Sequence, residues 1–248
     1  MSGWSLALVL ILASTNACEQ NASEDSLVAG RALRWSMRSQ VPFKREAARL
    51  KAVRCFRTGI FAPAPEENRS QCALWSGELL RAGGLGAAAS RDLMLGVGLE
   101  SGEWSARCAL SAGELCLEDG RAAEALLMFS HVVNIAAPTR FTERAAVLAG
   151  GSLAAMGEAA AAVALWRSVA ESGVTPRHRF EAFESWGRHL LALGDLEGAA
   201  GVLSQCRSTL EASALEVTAV GRALRKLLSD SSLARAIRRE VMSRYRKT

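Results

Sequence analysis

The chain has 248 residues, half of them hydrophobic, and a formal net charge of +5 at neutral pH. This length suffices to bury a core, while five Pro, one Tyr and only 6% aromatic residues exclude a typical β-sandwich or barrel and favour helices. The charge is uneven: residues 31–57 carry +8 and residues 222–248 carry +7, whereas residues 58–221 carry −7. The two basic ends could dock on anionic lipid, nucleic acid or an acidic protein, or could be solvated charge on terminal helices.

The chain begins with a short apolar stretch, residues 4–13, followed by small residues. The stretch is too short for a bilayer, which needs about 20 apolar residues, and is typical of the hydrophobic region of a secretory signal. It lacks a basic segment in front of it. We predict a signal peptide over residues 1–17 and a polar tether over residues 18–27.

Cleavage after Ala17 would place Cys18 first in the mature chain. This junction resembles the lipobox of bacterial lipoproteins, although Thr15 and Asn16 stand where that family favours Leu and a small residue. The resemblance implies that Cys18 is acylated and that the lipid anchors the protein to a membrane of the bacterial envelope. Secretion without a lipid, and no export at all, stay open as alternatives.

Residues 28–69 are predicted to form a basic helical segment that ends in a connecting loop, Gly59–Glu67. Cys55 and Cys72 flank this loop and could form a disulfide in an oxidising compartment. No two cysteines have the Cys-x-x-Cys spacing of a zinc or redox site.

A period of 36 to 37 residues governs the middle of the chain. Each period contains a Gly, a second Gly seven residues later, an Ala five residues after that, and a large apolar residue four residues further on. The columns are Gly77, Gly113, Gly150 and Gly187; Gly84, Gly120, Gly157 and Gly194; Ala89, Ala125, Ala162 and Ala199; and Leu93, Phe129, Trp166 and Leu203.

The four columns have a physical interpretation as a helical hairpin. A Gly inside a helix costs about 1 kcal/mol relative to Ala, so its recurrence indicates close helix–helix approach. The second Gly predicts a left-handed helix end, the Ala lets the two helices meet, and the large residue is expected to fill the gap between hairpins. Thr175 and Pro176 predict a capped helix start, and Pro138 is expected to separate two hairpins.

This pattern resembles the tetratricopeptide repeat, with four units over residues 70–211. Residues 212–248, with Gly221 one repeat after Gly187, are predicted as a degenerate fifth hairpin with basic capping helices. The fold class we predict is therefore all-α, an α-solenoid of about four to five antiparallel helix hairpins. The resemblance implies a right-handed superhelix whose concave groove binds a peptide or helix of another protein.

In the family that this chain resembles, the first helix of each unit lines the groove. The corresponding positions here are Leu74, Glu78, Arg107, Leu110, Glu114, Arg144, Val147, Glu184 and Arg188. The paired Lys and Asn with which some members hold the carboxylate of chaperone tails are absent, which makes that partner unexpected. Mixed Leu and charge suits an amphipathic helix or an extended segment.

We expect no catalysis, cofactor or metal. Only three His occur, at positions 131, 178 and 189, and no Cys, Ser or carboxylate stands near them in a recognised pattern. The leading function is a non-catalytic scaffold or adaptor, membrane-anchored through Cys18, that assists assembly of an envelope complex. The alternatives are an organellar or cytoplasmic repeat protein that binds RNA through its basic ends, which the acidic repeats disfavour, and an enzyme on an all-α scaffold.

Overall fold

The computed structural model describes residues 24–36, 42–99, 102–135 and 139–212, together with the isolated positions 235 and 239. All regular structure in these ranges is helical. The ten helices are α1 Glu24–Ser36, α2 Pro42–Phe61, α3 Glu66–Ala82, α4 Gly86–Leu99, α5 Glu103–Glu118, α6 Ala122–Asn134, α7 Thr139–Ala155, α8 Ala159–Ser172, α9 Pro176–Ala192 and α10 Leu196–Ala212.

The helices α3 to α10 form the four predicted hairpins, and the all-α fold class is confirmed. The chain divides into two compact units, 1–141 and 142–248, at the beginning of α7. Each unit has its own apolar core, around Leu33, Phe56 and Leu93 in the first and around Trp166 and Phe183 in the second. The predicted fifth hairpin, including Gly221, lies outside the described residues.

The second glycine column closes every hairpin, as predicted. Gly84, Gly120, Gly157 and Gly194 have φ angles of 73°, 74°, 86° and 83°. At the first turn, Leu85 N–H bonds the Leu80 carbonyl and Gly84 N–H bonds the Arg81 carbonyl, the double bond pattern of a Schellman motif. Because a side chain is strained at positive φ, glycine is the residue that ends the first helix cheaply and reverses the chain.

The first glycine column brings the two helices of a hairpin together. A Cβ added at Gly77 would lie 2.5 Å from Leu93 Cγ, and one added at Gly113 would lie 2.5 Å from Phe129 Cε1. At Gly150 the added atom would lie 2.7 Å from Trp166 Cε2. Close approach is therefore confirmed.

The position of the large apolar residues corrects one prediction. Leu93, Phe129 and Trp166 pack on the glycine of their own hairpin; the predicted position in the gap between hairpins is therefore wrong for these contacts. A large side chain on the second helix needs the space that the missing Cβ leaves on the first, so the two columns are complementary. The Ala column is fully buried at all four of its positions: Ala89, Ala125, Ala162 and Ala199.

Two boundaries in the N-terminal region differ from prediction. Helix α1 begins at Glu24 and buries Ser26 and Leu27, so the end of the predicted polar tether belongs to the folded unit. Helix α2 continues through Gly59 to Phe61, so the connection to α3 is shorter than the predicted loop. This helical position requires glycine because α2 packs closely on α3: an added Cβ at Gly59 would lie 2.5 Å from Cys72 Sγ.

A buried carboxylate joins three helices of the first unit. Asp92 of α4 accepts two hydrogen bonds from Arg57 of α2, at 2.9 and 3.0 Å, and one from the hydroxyl of Ser76 on α3. The hydrogen bonds to Asp92 raise the pKa of Arg57. The pair fixes the basic α1–α2 region to the first hairpin.

A different carboxylate organises the second unit. Glu143 of α7 accepts hydrogen bonds from the backbone N–H groups of Val174 and Thr175, just before α9, and lies 3.4 Å from His178 Nδ1. Pro176 begins α9 and Thr175 is its N-cap residue, as predicted, but Thr175 makes no side-chain capping bond. Glu143 satisfies these backbone donors from a distant helix instead. Pro138 lies outside the described residues.

Candidate functional site

The first helices of the two hairpins in the first unit lie side by side. Side chains one repeat apart connect α3 with α5: Arg81 pairs with Glu114 at 3.2 Å and also with Glu118. Ser111 donates to Glu78 at 2.5 Å. These contacts build one continuous face of α3 and α5, which we call the first-helix face, and they fix the helix-to-helix register.

Five predicted groove residues belong to the first-helix face. Leu74 and Leu110 are buried and offer little side-chain surface to a partner. Glu78, Arg107 and Glu114 are half-buried. Two of the three are engaged within the protein, because Glu78 accepts from Ser111 and Glu114 from Arg81. The contact of this face with a partner stays a prediction.

The most distinctive group on this face combines arginine with tryptophan. The rings of Trp75 and Trp104 meet edge to face, with centroids 6.2 Å apart. The guanidinium carbon of Arg34, on α1, lies 3.9 Å from the Trp75 centroid. Arg107 lies 4.6 Å from the Trp104 centroid and 5.6 Å from that of Trp75. We call these four residues the arginine–tryptophan cluster.

Of the arginine–tryptophan cluster, only Arg107 was among the predicted groove residues. Trp75 and Trp104 follow the phase of neither glycine column, and Arg34 belongs to a helix outside the repeats. The available signal was the +8 charge of residues 31–57 together with two Trp in first helices. Both Trp are half-buried, and the indole N–H of Trp104 donates to Glu67 at 3.1 Å. The indole N–H of Trp75 is buried and has no acceptor within the part of the chain that the structure describes.

The predicted groove residues of the second unit lie on α7 and α9. Val147 is buried, Arg144 and Glu184 are half-buried, and Arg188 is exposed. Arg188 pairs with Glu184 one turn earlier on α9, at 2.8 Å. An exposed pair at this spacing contributes only about 0.3–0.5 kcal/mol, so both side chains could exchange this contact for a partner.

The three histidines have structural surroundings. His131 Nε2 lies 3.3 Å from Ser105 Oγ, but this hydroxyl is fully buried and also bonds the Val97 carbonyl at 3.0 Å. His178 contacts Glu143, and the His189 ring packs against Trp166 with centroids 5.5 Å apart. Over the described ranges, no group of three or more His, Cys, Asp or Glu is arranged to hold a metal ion.

The cysteines of the repeats are buried thiols. Cys72, Cys108, Cys116 and Cys206 are free. The disulfide considered between Cys55 and Cys72 is therefore not formed, and Cys72 packs against Gly59 instead. Burial raises the pKa of Cys72 and of Cys206 to about 12, which suppresses the thiolate and hence nucleophilic reactivity.

The predicted lipidation site, Cys18, and the signal peptide lie outside the residues that the structure describes. None of the described helices is both long enough and apolar enough to cross a membrane.

No family model matches the chain, and no curated protein matches it in sequence. Solved structures match in fold. A crystal structure of MamA is 16% identical with a TM-score of 0.52 over 68% of this chain and 92% of that one. TPR-like repeats from Podosopora anserina, described as those of a kinesin light chain, are 16% identical with a TM-score of 0.54 over 72% and 93%.

BtubC (BKLC) from P. vanneervenii is 12% identical, with a TM-score of 0.56 over 84% of this chain and 93% of that one. At these identities the likeness concerns the fold alone. The chain has an all-α fold of antiparallel helix hairpins similar to that of tetratricopeptide-like repeat proteins.

Proposed function

We propose that this protein is a non-catalytic scaffold that binds a segment of another protein along the first helices of its hairpins. The observation that carries the proposal is the arginine–tryptophan cluster on the first-helix face. Protein-binding hot spots are enriched in Trp and Arg that are partly enclosed but still reachable. Trp75, Trp104 and Arg107 are all half-buried on this face.

The surroundings of the cluster support binding in place of chemistry. The thiol of Cys72 is protonated at neutral pH, and the hydroxyl of Ser105 is enclosed. Binding to a repeat scaffold needs no reactive group, since a preformed face lowers the entropic cost of association. The first-helix face is preformed by the contacts of Arg81 with Glu114 and of Ser111 with Glu78.

We propose further that the scaffold is held on a membrane of the bacterial envelope through acylated Cys18, where it assists assembly of a protein complex. The support is the apolar run before Cys18 and the polar residues after it. Two or more acyl chains anchor a domain stably, at about 0.8 kcal/mol per buried methylene. The intact mass of the mature protein tests this: a chain starting at Cys18 with added diacylglycerol mass supports the anchor, and an unprocessed or unmodified chain removes it.

The binding proposal can be tested by site-specific photo-cross-linking in the native host. A photoreactive residue is placed at Glu78 or Glu118 on the first-helix face, and at Arg91 or Leu127, which are exposed on second helices, as matched controls. We expect a discrete protein adduct, identified by mass spectrometry, from the first-helix positions only. Adducts of equal yield from both sets of positions, or adducts with RNA, would contradict the proposal.

A further inference from the structure

We propose that the arginine–tryptophan cluster binds carboxylate side chains, so that the partner of the first-helix face is an acidic peptide segment. This inference rests on the proposed function, and it adds the chemistry of the partner. It depends on the guanidinium of Arg107, which two indoles hold in place on this face.

The guanidinium of Arg107 is held by aromatic rings and not by acceptors. It lies over Trp104 and beside Trp75, and within the described ranges it has no ion pair or hydrogen bond. A guanidinium carries five N–H donors, and a carboxylate can bind two of them in parallel. The indoles restrict the side chain before binding, so less conformational entropy is lost when a carboxylate arrives.

Three carboxylates of α3 and α5 have hydrogen-bond partners within the protein. Glu67 accepts from the Trp104 indole, Glu78 accepts from Ser111, and Glu114 accepts from Arg81. None of the three forms an ion pair with Arg107 within the described residues. The indole N–H of Trp75 also has no described acceptor, so the cluster holds more donors than acceptors.

A second guanidinium lies near that of Arg107. Arg34 and Arg107 both contact Trp75, which places their guanidinium carbons less than about 10 Å apart. Neighbouring acidic residues of one short peptide can span this distance, at up to about 3.5 Å per residue. Helices α1 and α2, which carry most of the +8 charge of residues 31–57, both contact α3.

The same geometry disfavours nucleic acid as the ligand. Single-stranded nucleic acid binds by stacking bases on open aromatic faces. Here the rings of Trp75 and Trp104 contact each other and two guanidiniums. An acidic peptide can instead place its charges selectively and its apolar residues beside the indoles.

The test uses the full chain and three fluorescein-labelled probes: a twelve-residue peptide of Glu and Leu, the same peptide with Lys in place of Glu, and a twelve-nucleotide single-stranded DNA. Binding is measured by fluorescence anisotropy at several salt concentrations. We expect the Glu–Leu peptide to bind with salt-dependent affinity and the Lys–Leu peptide not to bind. Arg107→Gln should weaken the Glu–Leu peptide about tenfold, as expected for an interface hot spot.

Two variants separate this effect from general loss of positive charge. Arg167→Gln removes an exposed arginine that lies 5.0 Å from the Trp186 centroid in the second unit, and it should leave binding unchanged. Arg107→Lys keeps the charge without the planar fork and should give an intermediate loss. Far-UV circular dichroism of all variants verifies that they are folded.

The outcomes distinguish the inference from the function on which it rests. Equal binding of both peptides, no effect of Arg107→Gln, or tighter binding of the DNA would overturn the inference. If the cross-linked partner contacts the first-helix face through a segment without acidic residues, the inference fails but the scaffold function stands. If cross-linking shows no protein partner on this face, both fail.

Discussion

In both compact units a large apolar side chain packs on a glycine of the same hairpin, but the polar contacts of the two units differ. In the first unit, Phe129 packs on Gly113; in the second, Trp166 packs on Gly150, and its indole N–H donates to the Val147 carbonyl at 2.9 Å. The apolar match is a property of the repeat. The larger ring is accommodated because its polar atom finds a backbone acceptor.

The polar contacts of the two units share little. In the first unit Asp92 binds the side chains of Arg57 and Ser76, whereas in the second Glu143 binds backbone N–H groups in front of α9. The first arrangement ties helices through charge pairing, and the second replaces a missing helix cap. The period of the repeat therefore specifies where helices meet, while individual side chains specify the polar contacts that hold each junction.

We expect the largest loss of stability from removing the Asp92 carboxylate. Asp92→Ala leaves Arg57 and Ser76 without their shared acceptor, and we expect a loss of about 2–3 kcal/mol in the free energy of unfolding. The loss stays below that of a fully buried pair because the Arg57 side chain is 42% exposed and can be rehydrated. Urea unfolding followed by circular dichroism measures it. A loss below 0.5 kcal/mol would show that the junction depends on apolar contacts alone.

The next prediction compares Ala substitutions at two neighbouring glycines of α7, of which only Gly150 contacts another helix. Gly150→Ala places a methyl group against Trp166 and should destabilise the protein by about 2 kcal/mol through overpacking. Gly151→Ala is the matched control, because an added Cβ there meets nothing within 4 Å. It should stabilise the helix by up to about 1 kcal/mol. Thermal unfolding measures the change in the unfolding midpoint of each variant. Changes of the same sign would contradict the conclusion that Gly150 is needed for close packing and Gly151 is not.

The glycine columns were predictable because their cause is local and repeats. A positive φ at a helix end and a close helix contact each demand Gly at one position, so the demand is visible four times in the sequence. The boundary of α2 was not predictable in this way. Gly59 suggested a loop, but it is a helical residue made necessary by Cys72, and that neighbour lies on another helix.

The polar contacts between helices and most of the arginine–tryptophan cluster were not predicted, because they join residues that are far apart in the sequence. Glu143 and Thr175 are separated by 32 residues, and Arg57 and Asp92 by 35, so their contact depends on how whole helices are rotated. Arg34, Trp75 and Arg107 come from three helices. Arg107 has a counterpart in Arg144 one repeat later and was among the predicted groove residues, whereas Arg34 and Trp75 occur once and leave no periodic signal.

A third prediction concerns how the stability contributed by Glu143 in the second unit depends on pH. Burial by itself would raise the pKa of Glu143, but hydrogen bonds from Thr175, Val174 and His178 outweigh it and lower the pKa below its ordinary value of 4.5. A lowered pKa means that the stabilisation is complete above the unfolded-state pKa and is lost as the pH falls through the folded-state pKa. Glu143→Gln should therefore cost about 1.5 kcal/mol at pH 7.

The difference between Glu143→Gln and the wild-type protein should narrow as the pH falls below about 4.5. Urea unfolding at pH 7, 5 and 3.5 follows it. Glu181→Gln is a suitable control, since Glu181 forms only an exposed pair with Arg177 on α9, at 2.8 Å. A gap that is constant over this pH range would indicate that the carboxylate acts by shape and not by charge.

The smallest effect concerns the turns, which the two units share most closely. Gly120→Ala in the first unit and Gly194→Ala in the second each place a side chain at positive φ, with nothing within 4 Å to clash with it. The cost is then backbone strain alone, about 1 kcal/mol in each unit. Gly120→Asn and Gly194→Asn should cost less, because Asn tolerates the left-handed region. Unfolding midpoints of the four variants measure the strain, and unequal costs for the two Ala variants would show that the turns, too, depend on their unit.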